Sequence, residues 1–107
     1  MVASLNDIRA FGRRIGREFG AHRVILFGSA ADGTATADSD VDLLIVMPFD
    51  GHRAEQSVAI RMKLRPTFPV DLIIRSPGEV RNRLAMGDTF IRDIVQNGKI
   101  IYEVDNG

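Results

Sequence analysis

Asp40 and Asp42 stand at the mouth of the apolar run Val41-Asp42-Leu43-Leu44-Ile45-Val46-Met47, and Asp71 sits inside a second run, Val70-Asp71-Leu72-Ile73-Ile74. Side chains alternate along a strand, so Asp40 and Asp42 share one face while Val41 takes the other. If the two runs are neighbouring strands, three carboxylates converge near one end of a sheet. Two carboxylates about 4 Å apart repel by roughly 4 kcal/mol at an effective dielectric near 20. Uncompensated, one of them takes up a proton. A magnesium ion removes the conflict, because hard oxygen ligands suit a compact divalent charge. A turn is the plainer reading for Asp38 and Ser39, and Asp40 could end an Asx-turn before its strand. That reading fails for Asp42 and Asp71, which are expected to be buried yet charged, at a cost that only a function justifies.

The second feature is Gly28-Ser29, directly after Val24-Ile25-Leu26-Phe27. Glycine lets a backbone approach a polyphosphate closely, and successive N–H groups of a turn form an anion nest. The Ser29 hydroxyl adds a donor. A tight turn after a strand is common, so only the spacing to the aspartates makes the pair informative. Other chemistries are excluded by position. An EF-hand starting at Asp38 needs glycine at Leu43 and glutamate at Phe49. No Gly-Lys-Ser/Thr follows Gly28, and no G-x-G-x-x-G occurs. His22 and His52 lack any paired-ligand or nucleophile spacing and read as ordinary surface or edge residues.

These residues need elements to hold them. Ser4 can cap a helix in which Leu5, Ile8, Phe11, Ile15 and Phe19 recur at helical spacing, with Gly20 as its stop. Val24–Phe27 reads as a short buried strand and Gly28–Asp40 as a turn-rich connection. Val41–Met47 is a second strand, ended by Pro48. Residues 52–65 read as a helix presenting Ala54, Val58 and Met62, closed by Pro66. Val70–Ile74 is a third strand. Ser76-Pro77-Gly78-Glu79 is a capping-box pattern opening a helix to about Ala85. Asp88 starts another, with Phe90, Ile91, Ile94 and Val95 on one face and Gly98 at its end. Ile100, Ile101, Tyr102 and Val104 form a fourth strand. The expected fold class is α/β: a small mixed sheet of about four strands flanked by helices, in one domain over 1–107. Asp105-Asn106-Gly107 reads as a frayed tail. Met62, Met86, Phe68 and Phe90 are expected in the core, and Arg81-Asn82-Arg83 on a solvated helix face.

Bulk composition narrows the partners. The 107 residues carry 14 Lys+Arg against 14 Asp+Glu, so no basic footprint for direct nucleic-acid binding stands out. Zero cysteines exclude disulfides, thiolate metal sites and a thiol nucleophile. No signal peptide or membrane-length apolar run is visible, and a cytoplasmic location is expected.

The spacing Gly28-Ser29, ten residues, then Asp40-x-Asp42 resembles the G-S-x10-D-x-D signature of the DNA polymerase β-like nucleotidyltransferase superfamily. The chain more closely resembles the minimal nucleotidyltransferases, the MNT family, found as antitoxins beside HEPN-domain toxins. The resemblance runs through the leading helix, VILFGS, DSDVDLLIV, VDLII and the final GKIIYE. It implies a polymerase β-like fold, with Gly28 and Ser29 holding the triphosphate of ATP and Asp40 and Asp42 binding two Mg²⁺ ions. Asp71 would be the third carboxylate, binding the catalytic metal and easing the proton off an acceptor hydroxyl. Two-metal clamping of attacking and leaving oxygens suits such a displacement. The implied reaction is attack of a hydroxyl on the α-phosphorus of ATP with release of pyrophosphate.

Relatives commonly read G-S-R-A-R-G in this loop, whereas Ala30 and Asp32 occupy the arginine places here. A guanidinium would grip phosphate bidentately, and Arg65, Arg75 or a partner's arginine are the candidates to replace it. In the MNT family the acceptor, where known, is a tyrosine of the HEPN toxin, adenylylated and so silenced, which implies a hetero-oligomer, while a homodimer would suit an acceptor cleft completed by a dimer mate. Two other readings stay open: an antitoxin acting by occlusion without chemistry, and a free-standing transferase acting on a small molecule such as an aminoglycoside.

Overall fold

In the computed structural model, residues 3–104 are described. The elements run α1 (Leu5–Phe19), β1 (Arg23–Phe27), α2 (Ser29–Asp32), β2 (Val41–Val46), α3 (Arg53–Leu64), β3 (Val70–Arg75), α4 (Pro77–Ala85), α5 (Thr89–Asn97) and β4 (Lys99–Glu103). The capping signals act as expected. Ser4 Oγ accepts from the Asp7 N–H at 3.1 Å, and Gly20 closes α1 at φ 69°. Ser76 and Glu79 form the full capping box at the start of α4, and Asp88 caps α5 through the Ile91 N–H.

The strands order β3-β2-β1-β4 in one sheet. β2 and β3 are parallel, while β1 runs antiparallel to both β2 and β4. Alternation along the strands divides the apolar residues between two cores. Val24, Leu26, Val41, Leu43, Ile45, Val70, Leu72 and Ile74 pack under α1 and α3, against Ile8, Phe11, Ile15, Ile60 and Leu64. Ile25, Leu44 and Val46 pack under α4 and α5, against Val80, Ile91 and Ile94. A sheet covered on both faces buries both sides of each strand, so its strands read as continuous apolar runs. An aspartate inside such a run therefore lies where the cover ends.

α1 approaches β4 closely because Gly12 and Gly16 carry no side chain. A Cβ on Gly12 would stand 2.5 Å from Ile101 Cγ2, and one on Gly16 would enter the Tyr102 ring.

Four expectations need correction. The Gly28–Asp40 connection contains a helical turn, α2, in place of loop alone. On α3 the buried residues are Ile60 and Leu64, while Val58 is 54% and Met62 is 70% exposed. The two sets are offset by two residues, about 200° around a helix of 3.6 residues per turn, so seating Ile60 and Leu64 turns the other stripe to solvent. Of the residues expected in the core, Phe68 does pack there, edge-on to Phe11 at 5.6 Å. Met86 and Phe90 are exposed, at 75% and 52%. Met86 is the C-cap of α4, beyond its last buried residue, and Phe90, in the first turn of α5, lies at the rim of the core with its ring edge-to-face against Phe27. No helix among the described residues is long and apolar enough to cross a membrane.

Candidate active site

The sheet brings the two aspartate-bearing runs side by side. Asp42 of β2 pairs in register with Asp71 of β3, and Phe27 of β1 pairs with Asp42 from the other side. Neighbouring strands lie about 4.8 Å apart, so the two carboxylates leave adjacent backbones on one face. That face is the one under α4 and α5, whose buried side chains meet Ile25, Leu44 and Val46 further along the strands. The Asp42–Asp71 end is left open. Asp42 is accordingly half-buried and Asp71 is exposed, which corrects the expectation of two buried carboxylates. Asp40 is exposed just ahead of β2. Asp38 lies in a turn fastened by its neighbours, with the Thr36 N–H donating to Ser39 Oγ at 2.9 Å.

Burial pushes the Asp42 carboxyl above the ordinary carboxylate range, and the charges of Asp71 and Asp40 push it further. Asp40, Asp42 and Asp71 take no part in the ion pairs among the described residues. The cluster thus holds unneutralised negative charge.

Gly28 joins the half of the motif expected to bind phosphate to this cluster. Its φ of 74° and ψ of −155° lie in a region that side chains exclude. A Cβ there would collide with Asp42 Oδ2. The Gly28 carbonyl accepts from the Ala31 and Asp32 N–H groups at 3.0 and 3.1 Å, and the Ser29 carbonyl accepts from Gly33 and Thr34 at 3.1 Å. Ser29 and Ala30 open the turn, and N–H groups at a helix start have no intrahelical acceptor. Their N–H groups therefore stand next to the carboxylate end of the sheet, available to an anion.

The departures in the loop have local explanations. Asp32 accepts from the Thr34 hydroxyl at 2.6 Å and the Thr34 N–H at 3.0 Å, bonds that hold its carboxyl below the usual range. Its charge is engaged in its own turn. Ala30 packs against the larger core. Arg75 does not replace the missing arginines. It pairs with Val46, four residues along β3 from Asp71 or about 13 Å of strand, and donates to the Ile74 carbonyl at 2.8 Å. Arg65 ends α3 in the connection leading to β3, on the carboxylate end of the sheet, and is exposed.

One part of the site had no signal in the spacing. Phe27, Gly28, Ala31, Asp32, Asp93, Asn97 and Gly98 line a cleft of about 300 Å³ between the β1–α2 turn and α5. Phe27 meets Phe90 edge-to-face at 5.8 Å. The sole hint in sequence was an aromatic residue immediately before Gly28.

The donor set suits a divalent cation: hard carboxylate oxygens, excess negative charge and a glycine approach that a Cβ would block. Among the described residues, no three acidic or imidazole side chains are gathered as tightly as a metal shell requires. Binding would have to draw the carboxylates together.

Comparison with known proteins agrees with this arrangement. Residues 8–102 match the nucleotidyltransferase domain family. Over 89 residues the chain is 34% identical to a protein of Methanocaldococcus jannaschii named "Putative protein adenylyltransferase MJ1305". That stretch covers 78% of this chain and 59% of the relative, so the chain spans under two thirds of the relative's length. With a match over nearly its whole length and a glycine turn set against paired aspartates, the chain belongs to the nucleotidyltransferase domain family.

Proposed function

We propose that the protein transfers AMP from ATP to a hydroxyl of a protein acceptor, in a Mg²⁺-dependent reaction. The observation that carries this reading is the contact of Gly28 with Asp42, itself in register with Asp71. The turn supplies anion donors and the strands supply carboxylates, at one place. Gly28 and Ser29 cradle the triphosphate. Asp40, Asp42 and Asp71 hold the metal, which when bound neutralises the phosphates and favours the ionised acceptor. The exposed Asp71, at the solvent side of the cluster, holds the acceptor hydroxyl and receives its proton. The acceptor oxygen bonds to the α-phosphorus, the bond from that phosphorus to the α,β-bridging oxygen breaks, and pyrophosphate leaves with the electron pair. Positioning and charge neutralisation supply most of the acceleration in such transfers.

The name of the archaeal relative supports a protein acceptor. The MNT resemblance specifies it further as a tyrosine of a HEPN-domain toxin, silenced by the modification, with this chain as antitoxin in a hetero-oligomer. The test incubates the chain with α-labelled ATP, Mg²⁺ and a HEPN-domain toxin. Label on a toxin tyrosine, lost in Asp71→Asn, is the expected result. A second reading, neutralisation by occlusion alone, draws on the loosely gathered carboxylates. It gains if Asp71→Asn still silences the toxin, and the transfer reading fails if wild type labels no protein.

A further inference from the structure

The cleft beside Gly28 shares that one residue with the proposed phosphate cradle and none with the carboxylate cluster, and it opens directly from both. Gly28 is common to the cleft and the carboxylate contact, and Phe27 is common to the cleft and the register pair of Asp42. A nucleotide with its α-phosphate at Gly28 has its base one sugar away, and this is the adjoining concavity. About 300 Å³ is the small end of ligand-pocket volumes, suited to a nucleoside rather than a polymer.

We infer that this cleft is the nucleobase pocket and that Asn97, held by Asp93, selects adenine. The inference rests on the nucleotide-transfer reading and deepens it. Asn97 Nδ2 donates to Asp93 Oδ1 at 2.7 Å, one helical turn away on α5. That bond fixes the amide plane and leaves Asn97 Oδ1 and the second N–H free of it. An amide so presented pairs bidentately with adenine, accepting from the N6 amine and donating to the adjacent ring nitrogen. The remaining polar side chains are the carboxylates of Asp93 and Asp32, which only accept. Guanine would turn its O6 acceptor toward these acceptors, so the pocket repels it as well as failing to pair with it. The Phe27 side chain, braced by Phe90, supplies an apolar wall for either base. Adenine selection thus arises on α5, far in sequence from the phosphate and carboxylate motifs.

The test is calorimetric binding of Mg-ATP, Mg-GTP and Mg-tripolyphosphate to wild type and Asn97→Ala. Asn97 is exposed in the last turn of α5, so the variant is expected to melt with wild type. ATP affinity should fall about tenfold and the ATP-over-GTP preference should collapse, as for loss of a bidentate base contact. Tripolyphosphate affinity should stay within about twofold, because phosphate contacts carry no base identity. Asp93→Ala, which frees the amide to rotate, should erode the same preference while sparing tripolyphosphate. Unchanged ATP binding in both variants, or equal loss of ATP and tripolyphosphate, overturns the base-pocket assignment. A wild type that binds tripolyphosphate but shows no preference for ATP overturns it too, leaving the phosphate site standing. Failure of wild type to bind even tripolyphosphate removes the nucleotide site itself and the inference with it.

Discussion

Replacing Asp42 by asparagine should make the protein more stable and inactive at once. The side chain keeps its shape and loses its charge. Asp42 and Asp71 leave neighbouring strands in register. At about 5 Å and an effective dielectric near 20, their repulsion is roughly 3 kcal/mol. Exposure of Asp71 screens this, so about 1 kcal/mol is the realistic gain at neutral pH. For a chain of this size that corresponds to a rise in Tm of roughly 5 °C. The sign follows from proton linkage. The Asp42 carboxyl is raised in the folded state, so the native protein binds more protons than the unfolded chain between the unfolded and folded pKa values. Stability falls as pH rises through that window and is flat above it. The Asp42→Asn variant lacks this loss, so its advantage should be present at pH 7 and vanish below the ordinary carboxylate range. Thermal melts of both proteins across pH, with and without Mg-ATP, measure all of this. Ligand should raise the wild-type Tm by mass action and leave the variant unmoved. A variant that melts below wild type at pH 7 would refute the electrostatic reasoning; a variant still stabilised by Mg-ATP would refute the site.

Two further substitutions test the geometry. Gly28→Ala forces a side chain into a positive-φ conformation and against Asp42 Oδ2; a loss of about 2–4 kcal/mol in denaturant unfolding is expected, along with loss of nucleotide binding. Gly16→Ala, which drives a methyl into the Tyr102 ring on the opposite side of the sheet from the cleft, should cost about 1–3 kcal/mol as an overpacked contact. Transfer per folded molecule should be unaltered, and a matching fall in activity would show that α1 seating reaches the site.

Much of the local structure was legible because it is decided by near neighbours. Ser4, Ser76-Pro77-Gly78-Glu79 and Asp88 start helices through bonds three residues long, and the structure places those caps as expected. The apolar runs around Asp42 and Asp71 announced strands covered on both faces. The spacing from Gly28-Ser29 to Asp40 and Asp42 indicated the family through its resemblance to a known signature, and the structure sets the two halves of that spacing on adjoining strands.

Tertiary packing decided the rest. Whether an aspartate in an apolar run is buried depends on how far α4 and α5 reach along the strands, and they stop short of Asp42 and Asp71. Which stripe of α3 faces inward depended on its seating: Ile60 and Leu64 went in, Val58 and Met62 stayed out. Arg75 was a reasonable substitute for the missing arginines until strand direction carried it to the far end of β3. The cleft formed by Phe27 with Asp93 and Asn97 joins residues about seventy positions apart in sequence, a proximity that no local periodicity encodes. Residue types alone settled the chemistry available, because functional groups come with the side chains. The fold settled which of those groups share a space, because proximity is set by register, strand direction and the reach of the covering helices.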